Sequence, residues 1–114
     1  MKTLITCSGL SNTGRLTTQV ATVLMSRHPA AFTWVKAHKD GEHIAEALED
    51  SDLIIVLEGC SDHCASKKMI EGGFKADIHL IATDLGIVKN GMAEVQWNDV
   101  EKVLFAIEQK INGA

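Results

Sequence analysis

The sequence predicts a three-layer α/β/α domain built on a four-stranded parallel sheet in the order 2-1-3-4. Three observations point to it. Leu53-Ile54-Ile55-Val56-Leu57 is an unbroken apolar run, the pattern of a strand buried on both faces in a parallel sheet. Strand-like and helix-like segments then alternate as βαβαβαβα along the 114 residues, which calls for right-handed crossovers and helices on both faces. Finally, two of the strands run straight into cysteine-bearing turns, Cys7-Ser8-Gly9 and Gly59-Cys60. The ends of strands are where open α/β sheets place their ligands.

Residues 2–6 form the first strand. Residues 8–15 are rich in Gly, Ser, Asn and Thr, and a helix follows to about Arg27, with Leu16, Val20, Val23 and Leu24 at helical spacing. His28-Pro29 closes that helix because Pro cannot continue its hydrogen-bond ladder. Residues 31–35 have the β-branched and aromatic bias of a second strand. After the polar connection 37–41 comes a short helix with Ile44, Ala47 and Leu48 inward and Glu42, Glu46 and Glu49 outward.

The central strand 53–57 leads into a helix from Ser61 to about Glu71, stopped by Gly72-Gly73. Residues 78–82 form the fourth strand, and 83–86 end it. Residues 87–96 carry no clear pattern. Asn98, with Glu101 three residues on, resembles a capping box for a last helix. Val100, Val103, Leu104, Ile107 and Ile111 make its buried stripe, and Asn112-Gly113 ends it. In the order 2-1-3-4, the flavodoxin-like arrangement, the chain reverses between strands 1 and 3. Cys7 and Cys60 then face each other at the carboxyl edge, with Cys64 one helical turn further on.

Composition narrows the function. The 46% hydrophobic fraction and single Pro suit one ordered domain over residues 1–114. A net charge of −4 without a basic run speaks against a nucleic-acid surface. No apolar run approaches the ~18–20 residues of a membrane span. The start of the chain lacks the features of an export signal, which predicts a cytoplasmic location. Three cysteines, an odd number, then read as reduced thiols used for metal or chemistry. The surface is compatible with a protein partner or a small anionic ligand and identifies neither.

Two chemistries fit the thiols. Thiolates are soft ligands suited to tetrahedral zinc. Cys60 and Cys64 would face one ion from a single helical turn, with Cys7 reaching across from the neighbouring loop. His38, just beyond strand 2, is the preferred fourth ligand; an open position for water or substrate is the other option. Alternatively, Cys7-Ser8-Gly9-Leu10-Ser11-Asn12 offers amides, hydroxyls and a helix start suited to an anion. Ser8, Gly9, Ser11 and Asn12 would cradle the anion, and Cys7 would be the nucleophile. That loop resembles the phosphocysteine loop of sugar-transport IIB components, and the distance from Cys7 to Arg15 is too long for a tyrosine-phosphatase loop. Redox chemistry at Cys60 and Cys64 is disfavoured because such pairs normally have a C-x2-C spacing. His28 and His79 read as structural or solvated, as does Lys67 on its helix, and Asp84 stands at the edge of the proposed site.

Taken together, these motifs resemble a known family. Cys7-Ser8-Gly9 with Ser11-Asn12-Thr13-Gly14 is similar to its opening element. Glu58-Gly59-Cys60, followed by Cys64-Ala65 and Lys67, is similar to the element that names the DGC-domain family. Gly73-Phe74 and Thr83-Asp84-Leu85-Gly86-Ile87 also resemble family stretches. The resemblance implies a zinc site made by four cysteines, three of which match Cys7, Cys60 and Cys64. The fourth, expected near the end of strand 2, has no counterpart between Phe32 and His43, and Glu58 stands where the motif has Asp. The combined expectation is a metal-binding protein with a cysteine cluster and an accessory or metal-carrier role. The alternative is a phosphocysteine or thiolate enzyme using Cys7.

Overall fold

The computed structural model describes residues 1–7, 9, 11–37, 41–59 and 64–113, with the backbone alone at 41–43, 64, 66 and 68. Four strands, β1 (Lys2–Thr6), β2 (Phe32–Lys36), β3 (Leu53–Glu58) and β4 (Ile78–Ile81), form a sheet in the order β2-β1-β3-β4. All three pairings are parallel. The expected topology is therefore the one observed. Its central pair is β1 and β3, with Thr6 opposite Leu57, so the two strands end within one residue of each other and their following loops emerge side by side.

Among the described residues four helices cover the sheet: α1 (Asn12–Arg27), α2 (Gly41–Glu49), α3 (Cys64–Glu71) and α4 (Trp97–Gly113). Alternation along the strands divides the core in two. Leu4, Ile55, Leu57 and Leu80 pack with Leu16, Val20 and Leu24 of α1 and with Val100, Val103, Leu104 and Ile107 of α4. Ile5, Val35 and Val56 pack on the other face with Ile44 and Leu48 of α2 and Ala65 and Met69 of α3. The stripes legible in the sequence are thus the core-facing ones, with Val23, Ala47 and Ile111 partly buried at their margins. No helix among the described residues is long and apolar enough to cross a membrane.

Several boundaries differ from expectation, each for a local reason. Helix α1 starts at Asn12, a turn earlier than the polar composition of 8–15 suggests. Ser11 caps it, its Oγ accepting from the Gly14 N–H at 3.3 Å. Helix α4 starts at Trp97, so Asn98 lies inside its first turn and is not the cap. The carbonyl of Gln96 instead accepts from the N–H groups of Asp99 and Val100, at 3.0 and 3.2 Å. Helix α3 is described from Cys64 onward; the expected start at Ser61 falls outside the described residues.

The fourth strand is shorter than expected, because Ala82–Leu85 winds into a 3-10 turn. The patternless residues 87–96 run across the start of α1. Asn12 holds them: its backbone N–H donates to Gly91 O at 2.7 Å and its Nδ2 to Val88 O at 2.8 Å, while its Oδ1 accepts from Asn90 N–H at 2.7 Å. Arg15 adds a hydrogen bond from Nη2 to the Ala93 carbonyl.

Candidate functional site

The site is built where the loop after β1 meets the loop after β3. Cys7 continues the ladder, its N–H donating to Leu57 O at 3.3 Å. Its half-buried side chain then meets the next loop directly: the Gly59 N–H donates to Cys7 Sγ at 3.2 Å. On the other side, Thr17 Oγ1 lies 3.8 Å from the same sulfur. That hydroxyl is oriented by donating to Gly14 O at 2.7 Å and belongs to a fully buried side chain.

Two glycines make this approach possible. A Cβ on Gly59 would stand 2.7 Å from the carbonyl carbon of Thr13 and 2.9 Å from the Gly14 nitrogen. One on Gly14 would stand 2.6 Å from the carbonyl carbon and oxygen of Gly9. Three backbones therefore pack at distances that no side chain tolerates, and the glycines that read as turn residues are contact residues. The sequence signal was their position, Gly59 next to Cys60 and Gly14 two residues beyond Asn12.

The residues expected to cradle an anion are placed as follows. Ser11 is the cap of α1, its Oγ shared between Gly14 N–H and a contact with Thr13 Oγ1 at 3.3 Å. Asn12 spends both ends of its amide on residues 88–90. Gly9 is exposed with its backbone against Gly14, and Ser8 lies outside the described residues. Among the expected metal ligands, Cys7 is described in full and Cys64 as the backbone that opens α3. Cys60 and His38 lie outside the described residues. Among the described residues, no group of three or more His, Cys, Asp and Glu is assembled. Asp84 is exposed on the 3-10 turn, and Lys67 is exposed on α3.

Glu58 was missed as a site residue. It ends β3 and is only 1% exposed. One carboxylate oxygen, Oε1, accepts from the Ala65 N–H in the first turn of α3 at 3.1 Å, where a negative charge also suits the helix dipole. The other, Oε2, pairs with Nε2 of His79, whose side chain is 35% exposed. His79 lies on β4 opposite Val56, so it approaches Glu58 diagonally along one face of the sheet. A charged residue closing an apolar run immediately before Gly59 was the available signal.

The spatial pattern is now one of three sequence elements converging: Cys7-x-Gly9, Ser11-Asn12-Thr13-Gly14, and Glu58-Gly59. A family model for the DGC domain matches residues 3–107. The chain belongs to the DGC-domain family. Neither the curated proteins nor the solved structures yielded a match. In this DGC domain the naming element is Glu-Gly-Cys. Its Gly is the amide donor to Cys7 and packs against the backbone at the start of α1. Its acidic residue ties the start of α3 to β4.

Proposed function

We propose that this DGC domain binds a thiophilic metal ion, zinc by the chemistry of its ligands, through Cys7, Cys60 and Cys64, in an accessory or metal-carrier role. The observation that carries the reading is the Gly59 N–H donating to Cys7 Sγ at 3.2 Å. It brings the sulfur of Cys7 onto the residue that precedes Cys60, and α3 opens at Cys64. Amide donors to sulfur are the kind of outer contact that orients a thiolate ligand.

The donor set fits such an ion. Thiolates are soft, and zinc accepts three of them with a fourth ligand from His38 or from water. When bound, the ion supplies a structural crosslink between the loops after β1 and β3. The chain's own residues do the rest: Gly59 and Thr17 orient the Cys7 sulfur, and Gly14 and Gly59 let the backbones close.

The competing anion reading has less support. Ser11 Oγ and both ends of the Asn12 amide already serve the chain itself, and the Gly14 and Asn12 backbone N–H groups are bonded as well. A nucleophilic Cys7 retains one favourable observation, its partial exposure beside a hydrogen-bond donor.

Elemental analysis of untagged protein purified without chelator, with thiols counted in parallel, separates the readings. One zinc per chain, with thiols unreactive until chelator is added, is the expected result. Absence of metal together with one unusually reactive thiol at neutral pH overturns it in favour of Cys7 as nucleophile. Under the metal reading Cys7→Ser and Cys60→Ser both lose the ion and stability; under the other, only Cys7→Ser abolishes adduct formation.

A further inference from the structure

We infer that Glu58 and His79 are a positioning pair for the site: through hydrogen bonds, they hold the first turn of α3, and with it Cys64, at a set distance from Cys7. The inference rests on the proposed cysteine site and adds to it two residues that are not ligands.

The geometry is that of a clasp. Glu58 is buried and has two oxygens directed to two different elements: Oε1 to the Ala65 N–H of α3, and Oε2 to His79 Nε2 of β4. Ala65 is itself fully buried, so its amide depends on a protein acceptor rather than on water. The carboxylate thereby bridges from residue 58 to residue 65, across the segment that contains Cys60 and Cys64. Because His79 holds the second oxygen, the carboxylate has one orientation in which both partners are satisfied. The next amide along the chain, that of Gly59, holds Cys7. A single dipeptide, Glu58-Gly59, is therefore bonded to both sides of the site: its side chain to the cysteine-bearing helix, its backbone to the cysteine after β1.

This arrangement also gives a reason for acidity at a position that ends an apolar strand. Burying a carboxylate is costly unless it is paired and hydrogen-bonded, and an apolar residue there would fill the core equally well. What an apolar residue cannot do is accept the Ala65 N–H.

The test uses three variants of the full chain. Glu58→Met keeps volume and removes both acceptors. Glu58→Gln keeps an acceptor for Ala65 and a partner for His79. His79→Val, at a partly exposed strand position, is the second route should Glu58→Met not fold. Cobalt(II) is titrated into each, following the thiolate-to-cobalt charge-transfer band, and the alkylation rates of Cys7 and Cys64 are mapped separately in metal-free protein.

Glu58→Met and His79→Val are expected to lower cobalt affinity by about 10–100-fold, the usual effect of losing an outer-shell contact, and to shift the band. Glu58→Gln should stay close to wild type. In the metal-free proteins Cys64 should label several-fold faster in the Met and Val variants, with Cys7 changing less. Unchanged affinity and labelling in the Met and Val variants would overturn the inference. So would an equal loss in Gln and Met, which assigns the effect to charge, or an equal speeding of both cysteines with a fallen melting temperature, which assigns it to general loosening. Wild-type protein that takes up no cobalt sinks the metal reading alone; the labelling rates still decide the positioning role.

Discussion

The Gly59 amide and the Cys7 sulfur are 3.2 Å apart, though they are separated by 52 positions in the chain. The contact exists because β1 and β3 are adjacent and end within one residue of each other, Thr6 beside Leu57 and Glu58 one step further. It survives because Gly59 has no side chain to collide with Thr13 and Gly14. Sheet order and one missing methyl group together place the sulfur.

Gly59→Ala should therefore be costly despite being the smallest possible enlargement. The neighbours its Cβ meets at 2.7–2.9 Å are backbone atoms at the start of α1, and they cannot rotate away. A loss of about 1–3 kcal/mol is expected from overpacking of this kind, measured as a lower urea midpoint at unchanged slope. The hydrogen bond to Cys7 should lengthen with it, so the alkylation rate of Cys7 should change in the same variant.

Thr17→Val and Thr17→Ser distinguish packing from orientation. The Val variant loses the hydroxyl that donates to Gly14 O and stands beside Cys7 Sγ, at about 1 kcal/mol for a buried hydrogen bond. The Ser variant keeps the hydroxyl and loses a methyl, at a similar cost of about 0.8 kcal/mol. Stability alone will not separate them. Peptide-mapped alkylation should: Cys7 reactivity is expected to change in Val and to stay at the wild-type level in Ser.

Asn12→Ala should release the 88–91 segment while leaving the sheet intact. Its side chain makes two hydrogen bonds to that segment, one of them accepting the Asn90 N–H. A net cost of about 1 kcal/mol is expected because both bonds are exposed. Amide hydrogen exchange gives the sharper reading, with the Asn90 amide exchanging faster and the amides of β1 and β3 unaffected.

Metal removal should act like the loss of a crosslink. If zinc joins the loops after β1 and β3, a strong chelator lowers the melting temperature, and added zinc restores it with the logarithm of its concentration over the dissociation constant. Cys7→Ser protein should then melt at the lower temperature with or without chelator. A chelator that leaves the wild-type melting curve unmoved removes the metal from the account of this fold.

The strands, helices and sheet order were legible in the sequence because they rest on local periodicity. Leu53 to Leu57 is apolar without a break, Val100, Val103, Leu104 and Ile107 recur at helical spacing, and all of these but Leu53 and Ile54, which are partly buried, are buried. The alternation of strands and helices, with right-handed crossovers, then leaves few arrangements, and the observed order β2-β1-β3-β4 is the common one. Element ends were less legible. Asn98 and Glu101 have the letters of a capping box, yet the chain enters α4 at Trp97, because the start of a helix depends on where the preceding segment is tethered as well as on its own residues.

By itself, then, the sequence determined which segments are strands and helices, which faces are buried, and that Cys7 stands at the carboxyl edge. Each of these follows from the spacing of residues a few positions apart. The tertiary structure alone decided what meets there: the Gly59 amide on Cys7, the backbone of Gly14 on Gly9, and buried Glu58 between Ala65 and His79. Those contacts join residues from different elements at ångström precision. They depend on strand register and on the angle at which each helix packs, and no local pattern of residues encodes either quantity.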